Sequence, residues 1–149
     1  MNAKKVVIFD IDGTLADNSH RQYFVSEGRK EWEKFFSLMG DDVPVLPVIE
    51  LCQVLLASGN YEMLIFSGRP ERYRKLTEQW LIWNNVPDLP LRMRKDGDVR
   101  PDAEVKEEML HQLLSEGKRI AFVVDDRKPV VSMWRKHGIV CLQCAEGDV

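Results

Sequence analysis

The chain is poor in cysteine, holding three in 149 residues, and an odd number gives no disulfide framework. Cys141-x-x-Cys144 has the spacing of a metal or redox pair, but alternation along a strand produces the same spacing, and no second pair exists to complete a zinc site. No apolar run approaches the roughly 20 residues of a membrane span. The N-terminal Met-Asn-Ala-Lys-Lys leads into a strand pattern without a signal-peptide apolar region or cleavage site. A cytoplasmic location and no membrane partner are therefore expected. An excess of positive charge is lacking too: 21 Lys and Arg face 24 Asp and Glu, for a net charge of −3. That balance does not describe a tight, nonspecific nucleic-acid binder, so any contact with nucleic acid must be local. There is no Gly-x-x-x-x-Gly-Lys-Ser/Thr stretch, no internal repeat and no low-complexity tract. The length predicts one domain over residues 1–149, long enough to bury a real core.

What is present is a set of apolar strands that end abruptly in charge. Val6-Val7-Ile8-Phe9 runs into Asp10-Ile11-Asp12-Gly13-Thr14-Leu15. Two carboxylates one residue apart beside a buried strand repel unless a cation or several donors hold them. Asp-x-Asp-Gly alone also describes an Asx-capped turn. Tyr61 to Phe66 then runs into Ser67-Gly68-Arg69-Pro70, and Arg119 to Val124 into Asp125-Asp126-Arg127. A Ser, a Gly and an Arg between a strand end and a helix start make a phosphate site, from free backbone N–H groups, a hydroxyl and a permanent charge.

Between these strands the pattern turns helical. Pro47 opens a helix that Gly59 closes, Pro70 fits the start of the next, Asp102 can cap a helix ending at Gly117, and Pro129 opens one ending at Gly138. Leu89 to Met93 and Ile139 to Leu142 complete the strands. The alternation predicts an α/β domain with a parallel sheet whose ligands collect beyond the carboxyl ends of the strands. The four carboxylates Asp10, Asp12, Asp125 and Asp126, meeting there, call for a hard cation with oxygen ligands, Mg2+ rather than zinc.

Residues 17–46 leave the sheet pattern. Tyr23, Phe24, Trp32, Phe35, Phe36, Leu38 and Met39 are spaced for a largely helical insert with one apolar face, ended by the turn signal Gly40-Asp41-Asp42. His20, Arg21, Arg29 and Lys30 read there as solvated surface side chains that could reach a substrate. The loop Arg94-Lys95-Asp96-Gly97-Asp98-Val99-Arg100 is polar and basic, and Lys106 follows within the next helix, where the dipole favours anions over cations.

The run Phe9-Asp10-Ile11-Asp12-Gly13-Thr14-Leu15 resembles the first motif of the haloacid dehalogenase (HAD) superfamily of phosphotransferases. Ser67-Gly68-Arg69, Gly97-Asp98 to Arg100 with Val105-Lys106-Glu107-Glu108, and Asp125-Asp126 make it similar to the 3′-phosphatase domain of phage polynucleotide kinase-phosphatases, from about Lys5 to the C-terminus. The resemblance implies a Rossmann-like parallel sheet with the first strand central and a small helical C1-type cap over the site. It implies that Asp10 attacks phosphorus to give an aspartyl phosphate, and that Asp12 protonates the leaving oxygen and then activates water. It implies Mg2+ held by Asp10, the Asp12 carbonyl, Asp125 and Asp126, and phosphate held by Thr14, Ser67, Gly68, Arg69 and Lys106. Arg21, Arg94, Lys95 and Arg100 become possible substrate contacts, and Asp17, Arg100 and Arg127 neighbours of the motifs.

With no kinase half in the sequence, the expected protein is a stand-alone nucleic-acid end-repair phosphatase acting on 3′-phosphate ends of DNA or RNA. The insert departs from the phage domain's, so a nucleotidase or other small-molecule HAD phosphatase is the alternative. A non-catalytic binding domain is a more remote third.

Overall fold

A computed structural model describes residues 3–147. Its centre is β1 (Lys5–Phe9), where Val6 to Phe9 are almost wholly buried. β2 (Ala16–Asp17) and β3 (Val43–Pro44) form a minimal antiparallel hairpin after it. β4 (Tyr61–Pro70), β5 (Leu91–Arg94), β6 (Ile120–Arg127) and β7 (Cys141–Gly147) complete the main sheet. All of its pairings are parallel, in the order β5-β4-β1-β6-β7. A strand flanked on both sides and covered on both faces must be apolar throughout, which is why β1 reads as a continuous run.

Period two divides the core. Val6 and Ile8 face α4 (Asp102–Ser115) and α5 (Lys128–Lys136), packing with Val105, Leu110, Val130 and Trp134. Val7 and Phe9 face α2 (Leu46–Ser58) and α3 (Arg74–Trp83), packing with Ile49, Cys52, Trp80 and Leu81. Burial pushes the Cys52 thiol up to about 12, an inert packing group. Gly59 closes α2 with φ +70°, the left-handed turn its position predicts.

Both motif-bearing strands after β1 outrun their expected ends, as does β7, which reaches Gly147, and in the two motif strands the pairing register breaks where the polar motif begins. β4 extends to Pro70 with a shift between Ser67 and Pro70, and β6 to Arg127 with a shift between Asp125 and Arg127.

The insert is less helical than its aromatic spacing implies. It holds a 3-10 turn (Ser19–Phe24), the six-residue α1 (Trp32–Ser37) and a second 3-10 turn (Met39–Asp41). Glu27 and Gly28 both have positive φ, which breaks any continuous helix between Tyr23 and Trp32. Phe35, Phe36 and Met39 are buried against Phe24, Val25, Tyr73 and Leu76, whereas Tyr23 and Trp32 remain largely exposed. No helix among the described residues is long and apolar enough to cross a membrane.

Candidate active site

The loop after β1 is wound tightly: the Ile11 carbonyl accepts from the amides of Thr14, Leu15 and Ala16, and the Gly13 amide donates back to the Ala16 carbonyl. Gly13 has φ +85°, and a Cβ there would collide with the Asp126 carboxylate. The turn needs glycine for its conformation and for that close approach. It carries Asp10 and Thr14 to the ends of β4 and β6, with the Thr14 hydroxyl 3.1 Å from Asp10 Oδ2 and 3.4 Å from Asp126 Oδ1.

Lys106 closes this cluster from α4. Its Nζ donates to Asp10 Oδ1 at 2.6 Å and Asp125 Oδ2 at 3.1 Å, with Asp102 at 3.8 Å, and it is 1% exposed. Burial alone would strip its proton, but Asp10, Asp125 and Asp102 reverse that and hold it firmly charged. One ammonium does not balance three carboxylates. Burial and the Asp125 charge drive Asp10 well above the usual carboxylate range, and the same two causes push Asp126 up to about 6. Carboxylate oxygens of Asp10, Asp125 and Asp126 lie within 4.8 Å of one another, an all-oxygen donor set that fits a hard divalent cation.

The two acidic neighbours differ in how they are held. Asp125 Oδ1 accepts from the amides of Asp126 and Arg127, and its Oδ2 from Lys106 and the Trp134 indole. The Asp126 carboxylate is held more loosely, by the long contact from Thr14 and by the neighbouring Asp10 carboxyl.

Asp12 lies in a second cluster. Arg21 Nη2 reaches Asp12 Oδ1 at 2.5 Å, and Arg69 grips both its oxygens at 2.8 and 3.0 Å. Burial would raise Asp12, but the two guanidiniums outweigh it and hold the carboxyl far below the usual range. Behind them lies Asp42, a residue whose sequence context reads only as a turn. It accepts twice from Arg21 at 2.8 Å, from Arg69 at 3.2 Å and pairs with His20 at 2.7 Å, while the Trp80 indole donates to its carbonyl. Arg21 is thus no solvated surface cation. It is fully buried, stacked over Phe35 at 4.3 Å and donating to that residue's carbonyl.

Ser67 is buried and accepts from the Arg69 amide, fixing the turn that aims the guanidinium at Asp12 and Thr77. A Cβ on Gly68 would run into the Asp102 carboxylate. Asp102 does not cap α4: Pro101 holds the cap position without a side-chain bond. The Asp102 carboxylate instead faces Arg94 at 3.4 Å, Arg127 at 3.6 Å and Lys106.

The basic loop is largely self-occupied. Arg94 donates to the carbonyls of Gly68, Asp98 and Arg100, Arg100 pairs with Asp98 and Glu108, and Arg92 pairs with Glu116, which leaves Lys95 exposed. Asp17 accepts from the Ser19 amide in a local turn and lines one cavity with Gly13, Thr14 and Asp126. Cys144 is exposed on β7, its thiol 3.6 Å from the Thr14 hydroxyl, and Cys141 is buried, so the pair forms no joint site.

Residues 4–149 match the family described as the polynucleotide kinase PNKP phosphatase domain. The chain belongs to that family. It superimposes on a chain of a Pnkp1/Rnl/Hen1 complex with 31% identity and a TM-score of 0.78, covering 97% of this chain and 47% of that one. A chain of the Pnkp1/Rnl/Hen1 RNA repair complex matches with 30% identity and a TM-score of 0.80, covering 98% and 44% respectively. This PNKP phosphatase-family chain therefore spans less than half the length of those relatives. A haloacid dehalogenase-like hydrolase from Streptococcus pneumoniae shares the fold at 15% identity and a TM-score of 0.63, over 94% of this chain and 84% of that one. The chain is a HAD-superfamily phosphatase by family and by fold.

Proposed function

We propose that this domain is a Mg2+-dependent phosphomonoesterase that works through an aspartyl phosphate and acts on 3′-phosphate ends of nucleic acid. The observation that carries the chemistry is Lys106 Nζ 2.6 Å from Asp10 Oδ1 inside a cluster of three carboxylates. Asp10 is a carboxylate fixed by Lys106 and Thr14 just past the end of the central strand, as a nucleophile should be. In the proposed reaction its oxygen attacks phosphorus and the ester oxygen departs with a proton from Asp12. Water then attacks the aspartyl phosphate, gives its proton to Asp12, and frees inorganic phosphate and the Asp10 carboxylate. Lys106 and the Thr14 hydroxyl offset the charge on the phosphoryl oxygens. Asp10, the Asp12 carbonyl and Asp126 would hold Mg2+, which when bound supplies charge neutralisation at the phosphoryl group.

Asp12, gripped by Arg21 and Arg69, is held ionised, which leaves it without a proton to donate and makes it a weak base while both guanidiniums stay in place. The acid half of the cycle therefore requires an arriving phosphate ester to draw a guanidinium away, and that assigns Arg21 to the substrate side as well as to the scaffold. Ser67 and Gly68 would serve by shaping the loop that aims Arg69, and Arg94 and Arg100 by bracing the loop beside it.

The substrate class rests on family membership, on the RNA repair complex to which one relative belongs, and on the insert between β2 and β3. As a cap over a single-domain core it is too small to enclose the site, so a chain end can enter from the side. A cytoplasmic setting fits a substrate of this kind. Its test is a panel of 3′- and 5′-phosphorylated oligonucleotides, mononucleotides and a chromogenic ester, assayed with magnesium and with excess chelator. The 3′-phosphorylated oligonucleotide should be hydrolysed best. Mononucleotides ahead of every oligonucleotide by about tenfold in kcat/KM would transfer the assignment to a nucleotidase. Failure to hydrolyse any of these esters with magnesium would leave a binding domain.

A further inference from the structure

Away from the strand ends, three donors meet on the outer surface of the α4–α5 pair. Glu107 and His111 are one turn apart on α4, and His137 follows the last residue of α5. His137 Nε2 lies 2.7 Å from Glu107 Oε2, and the two imidazoles meet edge to face with centroids 5.5 Å apart. A donor atom from each of the three lies within 4.8 Å of the others. An interhelical ion pair needs only Glu107 and His137; the second imidazole turns the pair into a chelate.

We propose that Glu107, His111 and His137 form a second metal site, separate from the catalytic carboxylates, for a borderline divalent transition ion of the zinc type that ties α4 to α5. Two imidazoles and one carboxylate suit such an ion and are a poor set for magnesium. Ligands on a tetrahedral ion with bonds of about 2.0–2.1 Å lie about 3.4 Å apart, so the Glu107–His137 pair would open by about 0.7 Å and the wider pairs would close by at most about 1.4 Å, within reach of exposed side chains. The backbone helps. His137 sits at the C-cap of α5, where the carbonyl end of the helix favours a cation. Lys136 is the neighbouring charge that opposes it. Lys106 adjoins Glu107 and α5 follows Asp125-Asp126, so the clip would join the two helices that flank the acidic cluster.

The test is calorimetric titration of Zn2+ into chelator-treated protein, with excess Mg2+ present to fill the catalytic carboxylates. One saturable Zn2+ per chain is expected, and Zn2+ should raise the Tm. His111→Ala and His137→Ala should each weaken binding by about tenfold or more and remove the Tm rise, while Asp126→Asn retains both. His111 is exposed, so His111→Ala should keep its circular dichroism and its magnesium-dependent rate. Equal zinc affinity in wild type and both histidine variants, or no saturable zinc under magnesium, overturns the site.

Discussion

The site has two halves built on opposite electrostatics. In one, Asp10, Asp125 and Asp126 share a single ammonium, Lys106. In the other, Asp12 and Asp42 are matched by Arg21 and Arg69, with His20 alongside. Both are mostly buried, yet the first drives Asp10 and Asp126 up and the second holds Asp12 down. A buried cluster short of positive charge is unfinished without a cation, and that is where chemistry on a phosphate belongs. A balanced cluster is finished as it stands and holds shape. Neutralising a carboxylate of the first half should therefore remove activity at little cost to the fold, and removing an arginine of the second should destabilise it.

Asp10→Asn tests the first half most severely. Turnover should vanish while the metal-free Tm stays level or rises, because the change removes one of three repelling charges. Residual activity above a few per cent would remove Asp10 as nucleophile. Lys106→Ala should slow turnover by about a hundredfold, the usual scale for losing one preorganised group at a developing charge. Unlike Asp10→Asn it should lower the metal-free Tm, since it removes the ammonium paired with Asp10 and Asp125.

Arg21→Ala probes the other half. It leaves Asp42 and Asp12 short of a buried partner, a loss of about 3–5 kcal/mol measured by urea denaturation. Asp42→Asn should destabilise in the same direction, although Asp42 lies behind Asp12. If Arg21→Ala were as stable as wild type, the balanced half would not be the scaffold that its hydrogen bonds describe.

How legible each half is in the sequence follows from the same contrast. Asp10, Asp12, Asp125 and Asp126 stand out because each pair interrupts a fully apolar strand, and Pro47 and Gly59 mark α2 by the backbone angles they favour. Asp42 carries no such mark: Gly40-Asp41-Asp42 reads as a turn, and its partners lie 21 and 27 residues away. Arg21 is equally hidden, because a lone arginine in an irregular insert looks solvated until tertiary contacts enclose it. Charge matching offers the one available hint. Two buried arginines aimed at one aspartate require a second carboxylate. The aromatic spacing of the insert misleads for a local reason, since the left-handed turn at Glu27-Gly28 divides what looks like one helix.

The two halves also predict opposite responses to pH in the metal-free protein. Asp126 titrates at about 6 when folded against an ordinary 3.8. Its raised value makes the fold most stable below the ordinary pKa and removes stability as pH climbs to 6, by roughly 3 kcal/mol at most. Asp12, depressed, gives stability that is present above its ordinary pKa and lost only as pH falls below it. Urea midpoints without metal should therefore fall between pH 4 and pH 7. Asp126→Asn should flatten that fall, and saturating magnesium should reverse it.

The smallest effect lies within the acidic half, between Asp125 and Asp126. Both oxygens of Asp125 are occupied, by two backbone amides on one side and by Lys106 and Trp134 on the other. The Asp126 carboxylate is more loosely held, by a long contact from Thr14 and the neighbouring Asp10 carboxyl, and is the more exposed of the two. A cation takes the oxygens with free lone pairs, so Asp126 should bind it directly and Asp125 through water or by orienting Lys106. Asp126→Asn should then weaken magnesium affinity by about tenfold more than Asp125→Asn, read as the magnesium concentration for half-maximal rate. Asp125→Asn should instead lower the rate at saturating magnesium, because Lys106 loses the partner that aims it at Asp10. Equal magnesium dependence in the two variants would mean that the hydrogen bonds around Asp125 do not keep it from the metal.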